Sequence, residues 1–106
     1  MPTLQEQFLE KYNQLPKNLQ EALISRESAR LIYEAAEKEG VLPGVSRIAE
    51  VTGDVMMGFV PITQFRQKIQ DGLGINEEKA RRIAAVIRDK IFMGVADSLR
   101  KIHGLK

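Results

Sequence analysis

The side chains that catalysis uses most often are scarce in this sequence. It contains no cysteine and one histidine, His103, which lies near the C-terminus with no carboxylate beside it. A histidine in the last turn of a helix commonly stabilises the helix dipole and is not then a general base. No spacing of histidines or acidic residues is typical of a zinc or calcium site. The sequence therefore predicts no catalytic residue, no metal site and no cofactor.

One acidic residue, Asp54, lies among apolar neighbours in the segment Gly53-Asp54-Val55-Met56-Met57. Because Arg47 and Glu50 share its predicted helix face, a solvated surface carboxylate is the favoured interpretation. An enzyme would require a pocket that brings Asp54 together with the distant residues Tyr33 and His103.

Positive charge is concentrated at the C-terminal end of the chain. Residues 79–106 carry eight Lys or Arg and two acidic residues, although the whole chain has a net charge of only +2. Three interpretations stay open: a solvated or internally paired surface, an anionic protein partner, and contacts to nucleic-acid phosphates. No aromatic residues alternate with the charges as in a base-stacking platform. We define the basic face as Arg81, Arg82, Arg88, Lys90, Arg100 and Lys101.

A second candidate surface is apolar and consists of Met57, Val60 and Met93. Methionine beside glycine can form an adaptable groove for a partner helix. The alternative is that these side chains fill the core, in which case no groove exists.

The segment Gly72-Leu73-Gly74-Ile75 is similar to the glycine turn of the helix-hairpin-helix that binds DNA phosphates. Glu77 and Glu78 would repel a phosphate at the start of the next helix. The favoured interpretation is structural: the glycines end one helix and Asn76 caps the next.

Helical periodicity recurs along the chain, whereas the alternation typical of strands does not. Thr3 is predicted to cap the first helix, and Gly40 to end the third. The inner positions are expected to include Leu4, Phe8 and Leu9 in the first helix, Ala29 and Tyr33 in the third, and Ala49 and Phe59 in the fourth. The predicted helices cover residues 3–15, 17–24, 25–40, 45–58, 61–74 and 77–103.

The last predicted helix has one apolar stripe with steps of three or four residues, so one side is expected to be buried. Gly94 lies inside it and predicts a bend or break there. The stripe comprises Ala80, Ile83, Ala84, Ile87, Ile91, Val95, Leu99 and Ile102. We expect a compact, orthogonal all-α bundle of five to seven helices in a single domain, 1–106, with the 45–59 helix central and residues 77–103 packed across it.

The N-terminal segment lacks a basic region followed by an apolar run, the pattern of a secretory signal. No apolar stretch approaches the roughly 20 residues that a membrane-spanning helix needs. We therefore expect a cytoplasmic protein that does not contact membranes.

A resemblance extends from Leu19 to Gly104 and is carried by Leu23-Ile24-Ser25, Ser28-Ala29, Val55 to Phe59, Phe65, Ile75 to Ala80, Ile83-Ala84, Lys90-Ile91-Phe92 and Ser98 to Gly104. In these segments the chain resembles a small helical domain that recurs in predicted proteins of candidate phyla radiation bacteria (Patescibacteria). That family has no established activity or site, so the resemblance implies no functional residue. The leading functional hypothesis is a non-enzymatic protein interaction module, with a homodimer as one form of it, and the alternative is nucleic-acid binding through the basic face.

Overall fold

Regular structure in the computed structural model, which describes residues 3–104, is entirely helical. The helices form one all-α bundle whose extents are 37 × 31 × 25 Å. Three short 3₁₀ turns join or precede helices, at Leu42–Gly44, Ile62–Gln64 and Phe92–Val95. The α-helices are α1 (Leu4–Gln14), α2 (Lys17–Ile24), α3 (Arg26–Lys38), α4 (Val45–Met56), α5 (Phe65–Leu73), α6 (Glu77–Lys90) and α7 (Ala96–Ile102).

Helices α1 and α6 begin at the capping residues that the sequence predicts, and Ser25 caps α3. The Thr3 hydroxyl accepts a hydrogen bond from the Glu6 amide, and the Ser25 hydroxyl accepts from the Glu27 amide. Gly74, in the left-handed conformation, ends α5, and the Asn76 side chain caps α6 by accepting from the Lys79 amide at 2.8 Å. The structural interpretation of the glycine turn is therefore confirmed for Gly74 and Asn76, whereas Gly72 lies within α5.

The apolar stripe of the C-terminal segment faces the core. Ile83 and Ile87 are fully buried, and Ile91, Val95 and Leu99 are nearly so. The predicted break is also confirmed, because the helix bends by 40° at residue 91. The bend lies before Gly94, at the point where the chain leaves α6 and enters the 3₁₀ turn Phe92–Val95. The consecutive residues Ile91 and Phe92 are both buried there.

The helices that pack against the C-terminal segment are not the ones expected. Helix α4 supplies Ile48, Thr52 and Val55 to the core and packs on α2, α3 and α5. Helix α6 packs mainly on α5 and α3, so the C-terminal segment does not lie chiefly across α4. The end of α7 nevertheless reaches α4 through His103, described below.

Several side chains expected inside are exposed. Tyr33 is exposed because Ile32, Ala35 and Ala36 form the buried face of α3, which leaves the helix surface at Tyr33 toward solvent. Phe59 is exposed because Gly58, at φ +83°, ends the helix and turns the chain before it. Ala29 and Ala49 are exposed as well.

Helix α1 departs most from the prediction, because none of its residues is buried. Leu4 is 85% exposed, Phe8 48% and Leu9 50%. The predicted inner face is therefore open to solvent at Leu4, Phe8 and Leu9, whereas Tyr12 is half-buried against the core and Leu15, which follows the helix, enters it.

Candidate functional site

Two adjoining clefts lie where α6 and α7 meet the start of α5. The first measures about 550 Å³ and the second about 190 Å³. Both are lined by Ile62, Arg88 and Phe92, so the two clefts adjoin at these side chains. We refer to the residues that line the two clefts as the arginine groove.

The floor of the arginine groove is apolar, and two of its aromatic rings pack against each other. Phe65, the first residue of α5, meets Phe92 edge to face with ring centroids 4.9 Å apart. Both rings are almost fully buried, so they support the floor and do not project into solvent. The remaining apolar lining residues are Ile62, Ala84, Ala85, Met93, Ala96 and Leu99.

The rim of the groove is positively charged. Five arginines from three helices line it, namely Arg66, Arg81, Arg82, Arg88 and Arg100. None of the lining residues in either cleft is Asp or Glu. A surface with an apolar floor and several arginines along its rim can bind a ligand that is itself both apolar and anionic.

Four of these arginines have partners that they can exchange for a ligand. Arg81, Arg88 and Arg100 form exposed ion pairs with acidic residues of their own helices, at 3.9, 3.3 and 3.3 Å. Exposed pairs of this kind contribute about 0–1 kcal/mol each. Arg66 donates a hydrogen bond from Nη1 to Oε1 of Gln70 at 2.7 Å, and its partner carries no charge.

Arg82 is more firmly held than the others. Its Nε donates to Oε1 of Glu39 at 2.9 Å, which joins α6 to the end of α3. The Glu39 side chain is only 9% exposed. The hydrogen bond from Arg82 lowers the pKa of the Glu39 carboxyl and raises the pKa of the guanidinium. Arg82 therefore acts first as a structural tie between α3 and α6.

The structure brings together part of the predicted basic face. Arg81, Arg82, Arg88 and Arg100 line the groove, whereas Lys90 and Lys101 are exposed but lie outside its lining. Arg66, a lone arginine on another helix, was not predicted from the sequence. The only signal that could have indicated it is its position next to Phe65, which starts α5 at the groove floor.

Met57, Val60 and Met93 are not exposed together as one apolar surface, and for Met57 the alternative of core filling holds. Met57 is only 1% exposed and fills the core at the end of α4, because the helix ends there and its last turn packs inward. Val60 is half-buried. Met93 is 62% exposed and belongs to the arginine groove instead.

The groove does not bring together Tyr33, Asp54 and His103, the three distant residues from which an enzyme site would have to be built. His103 lines the groove, and its Nε2 donates to the carbonyl oxygen of Val55 at 2.8 Å, which ties the end of α7 to α4. Tyr33 and Asp54 are not lining residues. Burial raises the pKa of the partly exposed Asp54 carboxyl, and the nearby Glu50 adds to that effect.

Within residues 3–104, no three His, Cys, Asp or Glu side chains come close enough to hold a metal ion. The same residues contain no helix with the length and apolar character to cross a bilayer.

Comparison with known proteins gives no further identification. No protein-family profile, curated protein or solved structure matches the chain. The resemblance to the small helical domain of candidate phyla radiation bacteria stays a prediction.

Proposed function

We propose that this chain is a non-enzymatic helical interaction module that binds an acidic amphipathic helix of a partner protein in the arginine groove. One observation carries the proposal: five arginines surround an apolar floor, and the groove lining contains no carboxylate. Amphipathic helices bind such grooves with their apolar face inward and their polar residues at the rim.

The dimensions of the groove suit a helical ligand. Arg81 and Arg88 lie seven residues apart on α6, which corresponds to a rise of about 10 Å, or two helical turns. Between them lie Ala84 and Ala85, whose small side chains leave room for large apolar side chains of the partner. Rim arginines can then form charge-assisted hydrogen bonds with carboxylates that flank those side chains.

A suitable probe is a fluorescent synthetic peptide with leucines at helical spacing and glutamates on either side. We expect binding to weaken at least about tenfold, or 1.4 kcal/mol, in the variant Arg81→Glu with Arg88→Glu. The measurement is fluorescence anisotropy, with thermal melts to show that the variant is folded. A peptide of the same composition with its leucines scattered around the helix is the control for the apolar floor.

The chain offers a matched control variant. Lys90→Glu with Lys101→Glu changes the net charge by the same amount, in the same C-terminal segment, outside the groove. We expect this variant to retain peptide binding within about threefold, since the two lysines do not line the groove and exposed charges that make no direct contact with the peptide are weakened by salt. Equal losses of peptide affinity in the arginine and lysine variants would show that only net charge matters and would refute binding in the groove.

Nucleic acid is the second candidate ligand, favoured by the concentration of arginines in one groove. Against it, Phe65 and Phe92 are buried and offer no exposed ring for base stacking. Titration of a DNA duplex and of single-stranded RNA at increasing salt distinguishes the two candidates. Binding that falls steeply with salt and depends on Lys90 and Lys101 as much as on the arginines would favour nucleic acid.

A further inference from the structure

The two clefts of the arginine groove differ in size and in charge. Of the two, only the first, which we call the larger cleft, is lined by Arg66, Arg81 and Arg82. It measures about 550 Å³. The second, the smaller cleft, measures about 190 Å³ and is lined by Arg100 and by Arg88, which it shares with the larger cleft. Carboxylates of a bound peptide therefore find more arginine partners in the larger cleft.

The smaller cleft gives access to buried apolar surface. Phe92 and Leu99 are buried and lie at its base, whereas Met93 is 62% exposed and lies at its edge. Ala96, the first residue of α7, contributes only a methyl group to the lining. An apolar group from another molecule can therefore enter this cleft and contact the base.

The volume of the smaller cleft limits what it can hold. Pockets that enclose a whole small molecule typically measure about 300–1,000 Å³. At about 190 Å³, the smaller cleft is below this range and suits one large side chain of a helix that lies over the groove. We call that side chain the anchor. One such side chain, buried within a wider contact surface, often supplies much of the binding energy at a protein interface.

Three of the side chains that line the smaller cleft favour an aromatic anchor over an aliphatic one. Methionine sulfur makes favourable contacts with the edge of an aromatic ring, and Met93 is in position to do so. A guanidinium over the face of a ring adds a cation–π attraction, and both Arg88 and Arg100 are exposed beside the cleft. Their ion pairs with Asp89 and Asp97 are also exposed, so these pairs offer little resistance to rearrangement.

We propose that the smaller cleft holds one aromatic side chain of the partner helix, while the larger cleft binds its carboxylates. This inference rests on the proposed function and names the sequence that the same site selects. Because the clefts adjoin at Ile62, Arg88 and Phe92, the anchor lies at one end of the bound segment. The carboxylates lie to one side of it, within about two helical turns.

Fluorescence anisotropy with matched peptides tests the proposal. Each peptide is an amphipathic helix with glutamates over two turns and phenylalanine, leucine or alanine at one end of its apolar face, in one series at the N-terminal end and in another at the C-terminal end. In one series we expect phenylalanine to bind at least about tenfold more tightly than alanine, and more tightly than leucine. Equal affinity of the phenylalanine and alanine peptides in both series would overturn the proposal. Leucine as tight as phenylalanine would overturn it too, since the cleft would then select apolar volume and not an aromatic ring.

Filling the smaller cleft shows where the anchor binds. Ala96→Leu adds an apolar side chain to the lining without a change of charge, so we expect the preference for phenylalanine over alanine to fall to about twofold or less. The matched control is Ala29→Leu, at an exposed position of α3 outside both linings, which is expected to keep the preference. Met93→Ala removes part of the edge of the same cleft and is expected to reduce the preference as well. Thermal melts show that each variant is folded. An unchanged preference in both Ala96→Leu and Met93→Ala would contradict binding of the anchor in this cleft.

A charge variant of the larger cleft is expected to have the opposite effect. Arg81→Glu weakens the binding of every peptide but keeps the preference for phenylalanine within about twofold, as is usual for separate sites. The proposed function and this inference can also fail separately. Peptides that bind through the arginines with no preference at the anchor refute only this inference. Peptides that do not bind at all refute both.

Discussion

Ile87 is the residue at which the orientation of α6 can be tested most directly. Its side chain is fully buried on the stripe that faces the core, while Arg88 next to it lies on the groove rim. We expect Ile87→Ala to lower the free energy of unfolding by about 2–5 kcal/mol through lost burial and the cavity that remains. Urea unfolding followed by circular dichroism measures this change in the free energy of unfolding.

Met93→Ala is the control for that measurement. Met93 is exposed on the groove, so we expect its truncation to change the free energy of unfolding by less than about 0.5 kcal/mol. The same truncation removes apolar area from the groove floor, so we expect it to weaken peptide binding without loss of stability. If Ile87→Ala cost as little as Met93→Ala, the assignment of the buried stripe would be wrong.

At the scale of the element, alanine substitution at two glycines is expected to change stability in opposite directions. Gly58 follows α4 with φ +83°, and a Cβ there would lie 2.6 Å from Cγ2 of Ile102. We expect Gly58→Ala to destabilise the fold by at least about 2 kcal/mol, from backbone strain and this close approach. At Gly94 the backbone is not left-handed, and an added Cβ would meet no atom within 4 Å. Gly94→Ala is therefore expected to stabilise the fold by about 0.4–1 kcal/mol.

Thermal melts of the two variants provide the measurement. The break between α6 and α7 lies at residue 91, so alanine at position 94 is expected to leave the helix content by circular dichroism unchanged. A clear loss of stability in Gly94→Ala would show that the glycine, and not the burial of Ile91 with Phe92, sets the break.

The boundaries and buried faces of the helices were more predictable from the sequence than the surfaces that the packed helices leave exposed. Capping residues such as Asn76 and the stripe around Ile87 act locally, so they indicate where a helix begins, ends and faces. Whether Phe8 is covered depends on which helix packs beside α1, and periodicity carries no information on that. Arg66 was missed for the same reason, because only the packing of α5 on α6 brings it to the groove.

At the scale of the whole molecule, two carboxyl groups make opposite contributions to the dependence of stability on pH. The Arg82 hydrogen bond lowers the pKa of Glu39 from its ordinary 4.5, so Glu39 binds fewer protons in the folded state. Its contribution is present above pH 4.5 and is lost as the pH falls through the folded pKa. Burial raises the pKa of Asp54 above 3.8, so its ionised form opposes folding, and this penalty disappears on acidification.

The variants Glu39→Gln and Asp54→Asn are therefore expected to change stability in opposite directions. At about pH 7 Glu39→Gln lowers the melting temperature, because it loses the ion pair that joins α3 to α6, and Asp54→Asn raises it. At about pH 3 both differences shrink, since the wild-type carboxyls approach the neutral state that the amides imitate. Thermal melts across this range provide the test. If the Asp54→Asn difference kept its size on acidification, ionisation of Asp54 would not be its cause.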